Sequence, residues 1–142
     1  MATGTQAQTL TDSRLVEQLS ARFVRAVTEP RVEWLDDLLA ADFSIYYGTT
    51  NGSLNRAEAL AFFRRYFPSI RLRYRDVRIK PTTTGWVQQH LVDTDGENGF
   101  RIRDMPVAMV VTLSGEKIRH IAEYMDSAQT GGFDSTNLRG CD

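Results

Sequence analysis

Cysteine is almost absent from the chain. Cys141 is the only one, so no internal disulfide can form. Histidine is scarce too, at two residues, and a Cys/His structural zinc site cannot be assembled from that set. An excess of one charge sign is also missing: seventeen Lys and Arg face eighteen Asp and Glu, a net charge of −1. That balance gives no bulk attraction to nucleic acid or to an anionic membrane. No apolar run approaches the ~20 residues that span a bilayer. The first residues, MATGTQAQTLTDSR, are polar and contain no hydrophobic signal segment. A cytoplasmic protein is expected, and Asn51-Gly52-Ser53, formally a glycosylation sequon, is then read as a turn. Lysine numbers two against fifteen arginines, which we read as coding bias.

What is present is an ordinary globular balance. The 142 residues are 42% hydrophobic and 25% charged, which excludes long disorder and fibrous repeats. That length suits one domain. Residues 1–10 read as a flexible leader, 11–128 as the domain, and 129–142 as a Gly/Ser/Thr-rich tail with Phe133 as its one bulky anchor.

Thr11 or Asp12 can cap a helix in which Leu15, Val16, Leu19, Phe23 and Val27 recur at helical spacing. Pro30 ends it. A shorter helix follows, with Trp34, Leu35, Leu38 and Leu39 on one side. The period then changes to two: Phe43, Ile45 and Tyr47 alternate with Ser44 and Tyr46, as in a strand. Residues 48–53 read as a turn. A third helix from Arg56 to Phe67 carries Leu60, Phe63 and Phe67, and Pro68 stops it. Four strands complete the pattern: Ile70 through Ile79, Trp86 to Asp93, Phe100 to Leu113, and Ile118 to Asp126. The fold class is α+β, a curved antiparallel sheet with three helices over one face, leaving a cone open at one end. Apolar walls with a few polar groups suit a small molecule.

This order, with the segments Leu38-Leu39-Ala40-Ala41-Asp42-Phe43-Ser44-Ile45-Tyr46-Tyr47, Asn55-Arg56-Ala57-Glu58-Ala59-Leu60 and Gly115-Glu116-Lys117-Ile118-Arg119-His120-Ile121-Ala122-Glu123-Tyr124-Met125-Asp126, resembles the NTF2-like superfamily and its SnoaL-like, scytalone-dehydratase-like and limonene-epoxide-hydrolase-like enzymes. The resemblance implies a cone-shaped barrel, and one such scaffold hosts many chemistries.

Strand parity, aligned on that resemblance, sorts the side chains. Ile121, Glu123 and Met125 share the pocket face of the last strand. A carboxylate held between Ile121 and Met125 is desolvated, which raises its pKa toward a value suited to proton transfer. On Trp86–Asp93 the resemblance to epoxide hydrolases places Val87, Gln89, Leu91 and Asp93 in the pocket. Asp93 and Glu123 then occupy those enzymes' two acid positions, and Leu91 stands in place of their arginine. Tyr47 falls where scytalone-dehydratase-like members carry a catalytic tyrosine, and where ketosteroid isomerases carry their aspartate base. Tyr74 lies near the place of a dehydratase histidine. Ketosteroid isomerase chemistry lacks its other parts too, with Phe23 in place of a tyrosine and Ala108 or Met109 in place of an aspartate. A SnoaL-type aldol mechanism lacks its aspartate near Met109.

Met105, Met109, Phe63 and Phe67 supply pliable and aromatic walls. Arg103 continues the parity of Met105 toward the mouth, where it can clamp a substrate anion. The same parity puts His90 and His120 on the outer face with Tyr46, Pro106, Ala108, Val110 and Tyr124. That apolar outer face is expected to be covered by a second copy of the chain. The expected function is a cofactor-independent lyase or isomerase for a hydrophobic or aromatic hydroxylated substrate. Glu123 is its acid or base, Tyr47 its hydrogen-bond donor, and Asp93 or Arg103 a second polar anchor. The alternatives are water addition to an epoxide by Asp93 and Glu123, and a non-catalytic ligand-binding or dimerisation module. No metal, membrane or nucleic acid enters any of these readings.

Overall fold

The computed structural model describes residues 8–126 and residue 128. The expected leader through residue 7 and the tail around Phe133 lie outside the described residues. The chain runs through α1 (Ser13–Thr28), α2 (Val32–Leu38), β1 (Leu39–Tyr47), β2 (Gly52–Asn55), α3 (Arg56–Tyr66), β3 (Ile70–Pro81), β4 (Gly85–Gly96), β5 (Arg101–Ser114) and β6 (Lys117–Met125). Short 3-10 turns at Phe67–Ser69 and Glu97–Gly99 precede β3 and β5.

Local chemistry starts the helices where the sequence indicates. The Leu15 N–H donates to Asp12 Oδ1 at 3.0 Å, capping α1. Asn55 and Glu58 form a reciprocal box at the start of α3. The Glu58 N–H donates to Asn55 Oδ1 at 2.9 Å, and the Asn55 N–H donates to Glu58 Oε1 at 3.0 Å. Along α1 the stripe Val16, Leu19, Phe23, Ala26 and Val27 is buried, and the helix packs across β3 while α3 packs on β1.

The sheet has six strands in the order β2-β1-β6-β5-β4-β3. Two features depart from the expected antiparallel layer. Residues 48–53 do not remain a simple turn. The chain reverses at Asn51, whose φ is 50°, and Gly52–Asn55 pairs back on β1 as an edge strand. β1 and β6 run parallel, Tyr47 beside Glu123, so the sheet is mixed. The reason is topological. α3 carries the chain from β2 to the far edge, and an even-numbered meander returns β6 in the direction of β1. The edges β2 and β3 do not pair with each other, so the curved sheet stays open.

Two bulges re-aim the strands. Arg75 and Arg78 face Leu91 and Gln89, leaving Asp76 (φ 53°) in an extra step of β3. Val92 and Thr94 face Met105 and Ile102, leaving Asp104 (φ 52°) in an extra step of β5. The core between helices and sheet includes Leu19, Phe23, Ile45, Trp86, Met109, Val111 and Ile121. Each fully buried aliphatic side chain contributes about 1.5–3 kcal/mol. No described helix is long and apolar enough to cross a membrane.

Candidate active site

The inner face of the sheet carries a row of side chains set by register. Tyr47 on β1 lies beside Glu123 on β6, Glu123 faces Met109 on β5, and Met109 faces Gln88 on β4. Ile121 and Met109 are fully buried and form the floor, with Met105 beside them. Met125, half-buried, pairs with Val107. From α3, Phe62 reaches to 6.3 Å of the Tyr47 ring, and Phe63 stacks on Phe67 at 5.1 Å. The wall opposite Tyr47 is therefore aromatic, with Phe62 added to the expected pair.

Tyr47, Tyr74 and Glu123 are each only half-buried. Burial is nonetheless the leading cause of the upward pKa shift at all three. The three groups are thus surrounded by protein on the inner face yet keep some access to solvent. None of the three side chains is hydrogen-bonded to another described residue. The Glu123 carboxyl, partly desolvated by the surrounding protein and without a compensating donor, is pushed up from 4.5 to about 7. Its negative charge in turn raises both phenols, so Tyr47 and Tyr74 stay protonated. A carboxyl that titrates near neutrality can exchange a proton, and the neutral phenol of Tyr47 beside it in register can donate to an oxygen.

His90 belongs to this face, contrary to the sequence expectation. It is 4% exposed and stacks on Tyr74 with ring centres 4.1 Å apart and planes 15° from parallel. Trp86, Gln88, Val92 and Thr94 are buried with it. The inward parity of β4 is thus opposite to the one aligned by resemblance. Each parity of β4 has two aliphatic or aromatic residues, Trp86 and Val92 against Val87 and Leu91, so hydrophobicity alone does not separate them. The bulk of Trp86 was the available signal.

Val87, Gln89, Leu91 and Asp93 consequently lie outside the expected pocket, and Arg103 on β5 does too. Leu91 is half-buried on the outer face, opposite Arg75 and Pro106. Asp93 is bound at both oxygens by Arg75, at 3.0 and 3.1 Å, and at 2.9 Å by the Asp104 N–H. The guanidinium of Arg75, then that N–H, hold its carboxyl down at about 2, and Arg75 also joins Asp104. Arg103 is separated from the parity of Met105 by the extra residue Asp104. It bonds Asp95 at 2.7 Å and the Ile102 carbonyl at 2.8 Å. These ion pairs brace the bulges. His120 does face outward, with Nδ1 2.7 Å from Ser44 Oγ.

Among the described residues no group of three or more His, Cys, Asp or Glu side chains could hold a metal ion. Two surface clefts open on the described residues. One, of about 460 Å³, is bordered by Gln89, Leu91, Pro106, Ala108 and Tyr124, and also by His90, Val107 and Met125. The other, of about 480 Å³, lies between α2 and the end of α3. Neither includes Tyr47, Tyr74 or Glu123 in its lining.

No family profile matches the chain, and no curated protein matches it by sequence. Solved structures do match. An NTF2-like protein from Burkholderia xenovorans LB400 aligns over 88% of this chain and 97% of its own, at 12% identity and a TM-score of 0.71. A proposed polyketide cyclase from Xanthomonas campestris pv. campestris aligns over 84% and 96%, at 15% identity and a TM-score of 0.73. An LEH-like epoxide hydrolase from M. tuberculosis aligns over 82% and 86%, at 14% identity and a TM-score of 0.71. With three helices over a six-stranded open sheet and these likenesses along most of its length, the chain has the NTF2-like fold.

Proposed function

We propose that the protein is a cofactor-independent enzyme that moves a proton on a hydrophobic or aromatic hydroxylated compound, as a lyase or an isomerase. The observation that carries this reading is Glu123, a desolvated carboxyl near neutral pKa on the inner face, without a cation to neutralise it. Support at the level of enzyme class comes from similar folds described as isomerases, cyclases and epoxide hydrolases. Glu123 takes a proton from the carbon beside a carbonyl carbon; the freed pair forms a C=C bond and the carbonyl π pair moves onto oxygen, giving an enolate. Tyr47 and Tyr74 donate hydrogen bonds where the negative charge builds. In isomerisation Glu123 returns the proton to a second carbon. In elimination it hands the proton to the departing hydroxyl, and water leaves.

Water addition to an epoxide by Asp93 and Glu123 is not retained, because Asp93 is bound by Arg75 on the outer face. The proposal includes a homodimer closed over that outer face.

The test is Glu123→Gln, assayed in D₂O on a panel of phenolic, terpenoid and polyketide-like compounds. Deuterium incorporation should fall by about 10²–10⁴-fold, with ligand binding nearly unchanged. Retention of the exchange rate in Glu123→Gln contradicts the reading. Binding without exchange anywhere in the panel, even in the unmodified protein, leaves the ligand-binding module.

A further inference from the structure

Three buried side chains along β4 admit only one arrangement of protons. The indole N–H of Trp86 can only donate, and it lies 3.2 Å from Gln88 Oε1. That contact fixes the amide orientation and leaves Gln88 Nε2 as the donor toward His90 Nδ1, also at 3.2 Å. Nδ1 therefore accepts, and a neutral imidazole must carry its proton on Nε2. Nε2 is buried and has no hydrogen-bond partner. The ring cannot swing to find one, because Tyr74 covers its face and Gln88 holds its edge. A buried donor left unpaired costs about 1–3 kcal/mol, which a bound acceptor would recover.

We propose that His90 is a further substrate-binding residue of the site, a neutral imidazole whose Nε2–H donates to the oxygen of an uncharged carbonyl compound, with Trp86 and Gln88 as positioning residues that set its tautomer. This rests on the reading of Glu123 as the base. Tyr47 lies beside Glu123 in register, the Tyr47 and Tyr74 phenols both feel the Glu123 charge, and Tyr74 stacks on His90. No Lys or Arg among the described residues is buried, and no cation contributes to the Glu123 shift. A carboxylate or phosphate substrate would meet Glu123 without a counter-charge. A ketone or aldehyde meets only donors at its oxygen and a base beside its α-carbon. A neutral imidazole is suited to polarising a carbonyl without surrendering its proton, and burial holds the His90 ring neutral, with a pKa lowered to about 4.

The experiment is ¹⁵N spectroscopy of the imidazoles in the full chain, with acetophenone labelled at its carbonyl carbon as the probe. The expected result is a His90 ring, assigned by its loss in His90→Phe, that stays neutral and protonated at Nε2 between about pH 5.5 and 8, and whose N–H resonance moves on titration with acetophenone. Gln88→Glu places an acceptor opposite Nδ1 and should drive the proton there. His90→Phe keeps the stack on Tyr74 and removes the donor, and should weaken acetophenone about tenfold. A His90 ring, assigned by its loss in His90→Phe, that is protonated at Nδ1 in the unmodified protein overturns the proposal, as does acetophenone that never moves the His90 Nε2 proton or binds His90→Phe undiminished. Glu123→Gln separates the two readings. It should abolish deuterium exchange while leaving the His90 tautomer and the acetophenone shift in place, so failure of the base reading shows only in the exchange rate.

Discussion

Burial displaces Glu123 and His90 in opposite directions, and the consequences for stability have opposite signs. Glu123 has its folded pKa raised from 4.5 to about 7. Its contribution is full below about pH 4.5 and is lost as pH rises through 7. His90 has its folded pKa lowered from 6.5 to about 4. Its contribution is present above about pH 6.5 and is lost as pH falls through 4. Each is worth about 3 kcal/mol at full extent. The groups facing them, Tyr47 and Tyr74, are pushed upward and stay neutral throughout this range. In the unmodified protein the two slopes oppose each other over an overlapping window. Urea unfolding across a pH series should therefore show stability rising from pH 4 to 6.5 in Glu123→Gln, and falling from pH 4.5 to 7 in His90→Phe. A flat profile in both variants would mean that neither group is desolvated.

At the scale of elements, the helices and the outer limits of the strands were legible because caps, prolines and periodicity are local signals. Asp12, Asn55 and Glu58 act where their spacing says they should. The inward faces of β1 and β6 were legible too, since Phe43, Ile45, Ile121 and Glu123 keep strict alternation. On β5 Met105 and Met109 face inward as expected, but the site parts on β4, and Arg103 on β5, were not legible. A strand with apolar residues on both parities does not declare its face, and a bulge changes parity without a mark in composition. Asp104 shows this: one extra left-handed residue sends Arg103 outward while Met105 stays in the core. The same geometry makes Asp93 a brace, so Asp93→Asn should leave deuterium exchange unchanged and lower the melting temperature. Loss of exchange in that variant would return Asp93 to the site. Gly85 tests the β4–β5 approach. A Cβ there would sit 2.0 Å from the Val111 carbonyl oxygen. Gly85→Ala should therefore destabilise by about 1–3 kcal/mol, read by urea unfolding, and an unchanged midpoint would deny that approach.

At the scale of the whole molecule, the open sheet has two unlike faces. The inner one is covered by helices. The outer one leaves Val110 43% and Tyr124 50% exposed, and the proposed dimer would cover it. Sedimentation should give twice the chain mass, reduced to one chain by Val110→Asp. A single-chain mass in the unmodified protein would exclude the pairing. The inner face depends on one condition, that the recess between helices and sheet withholds water from position 123 without packing it solid. The ¹³C shift of the Glu123 carboxyl, followed from pH 3 to 9, reads that condition directly. A midpoint near 7 is the expected result. A midpoint near 4.5, the ordinary value for glutamate, would show a solvated carboxylate and contradict the account.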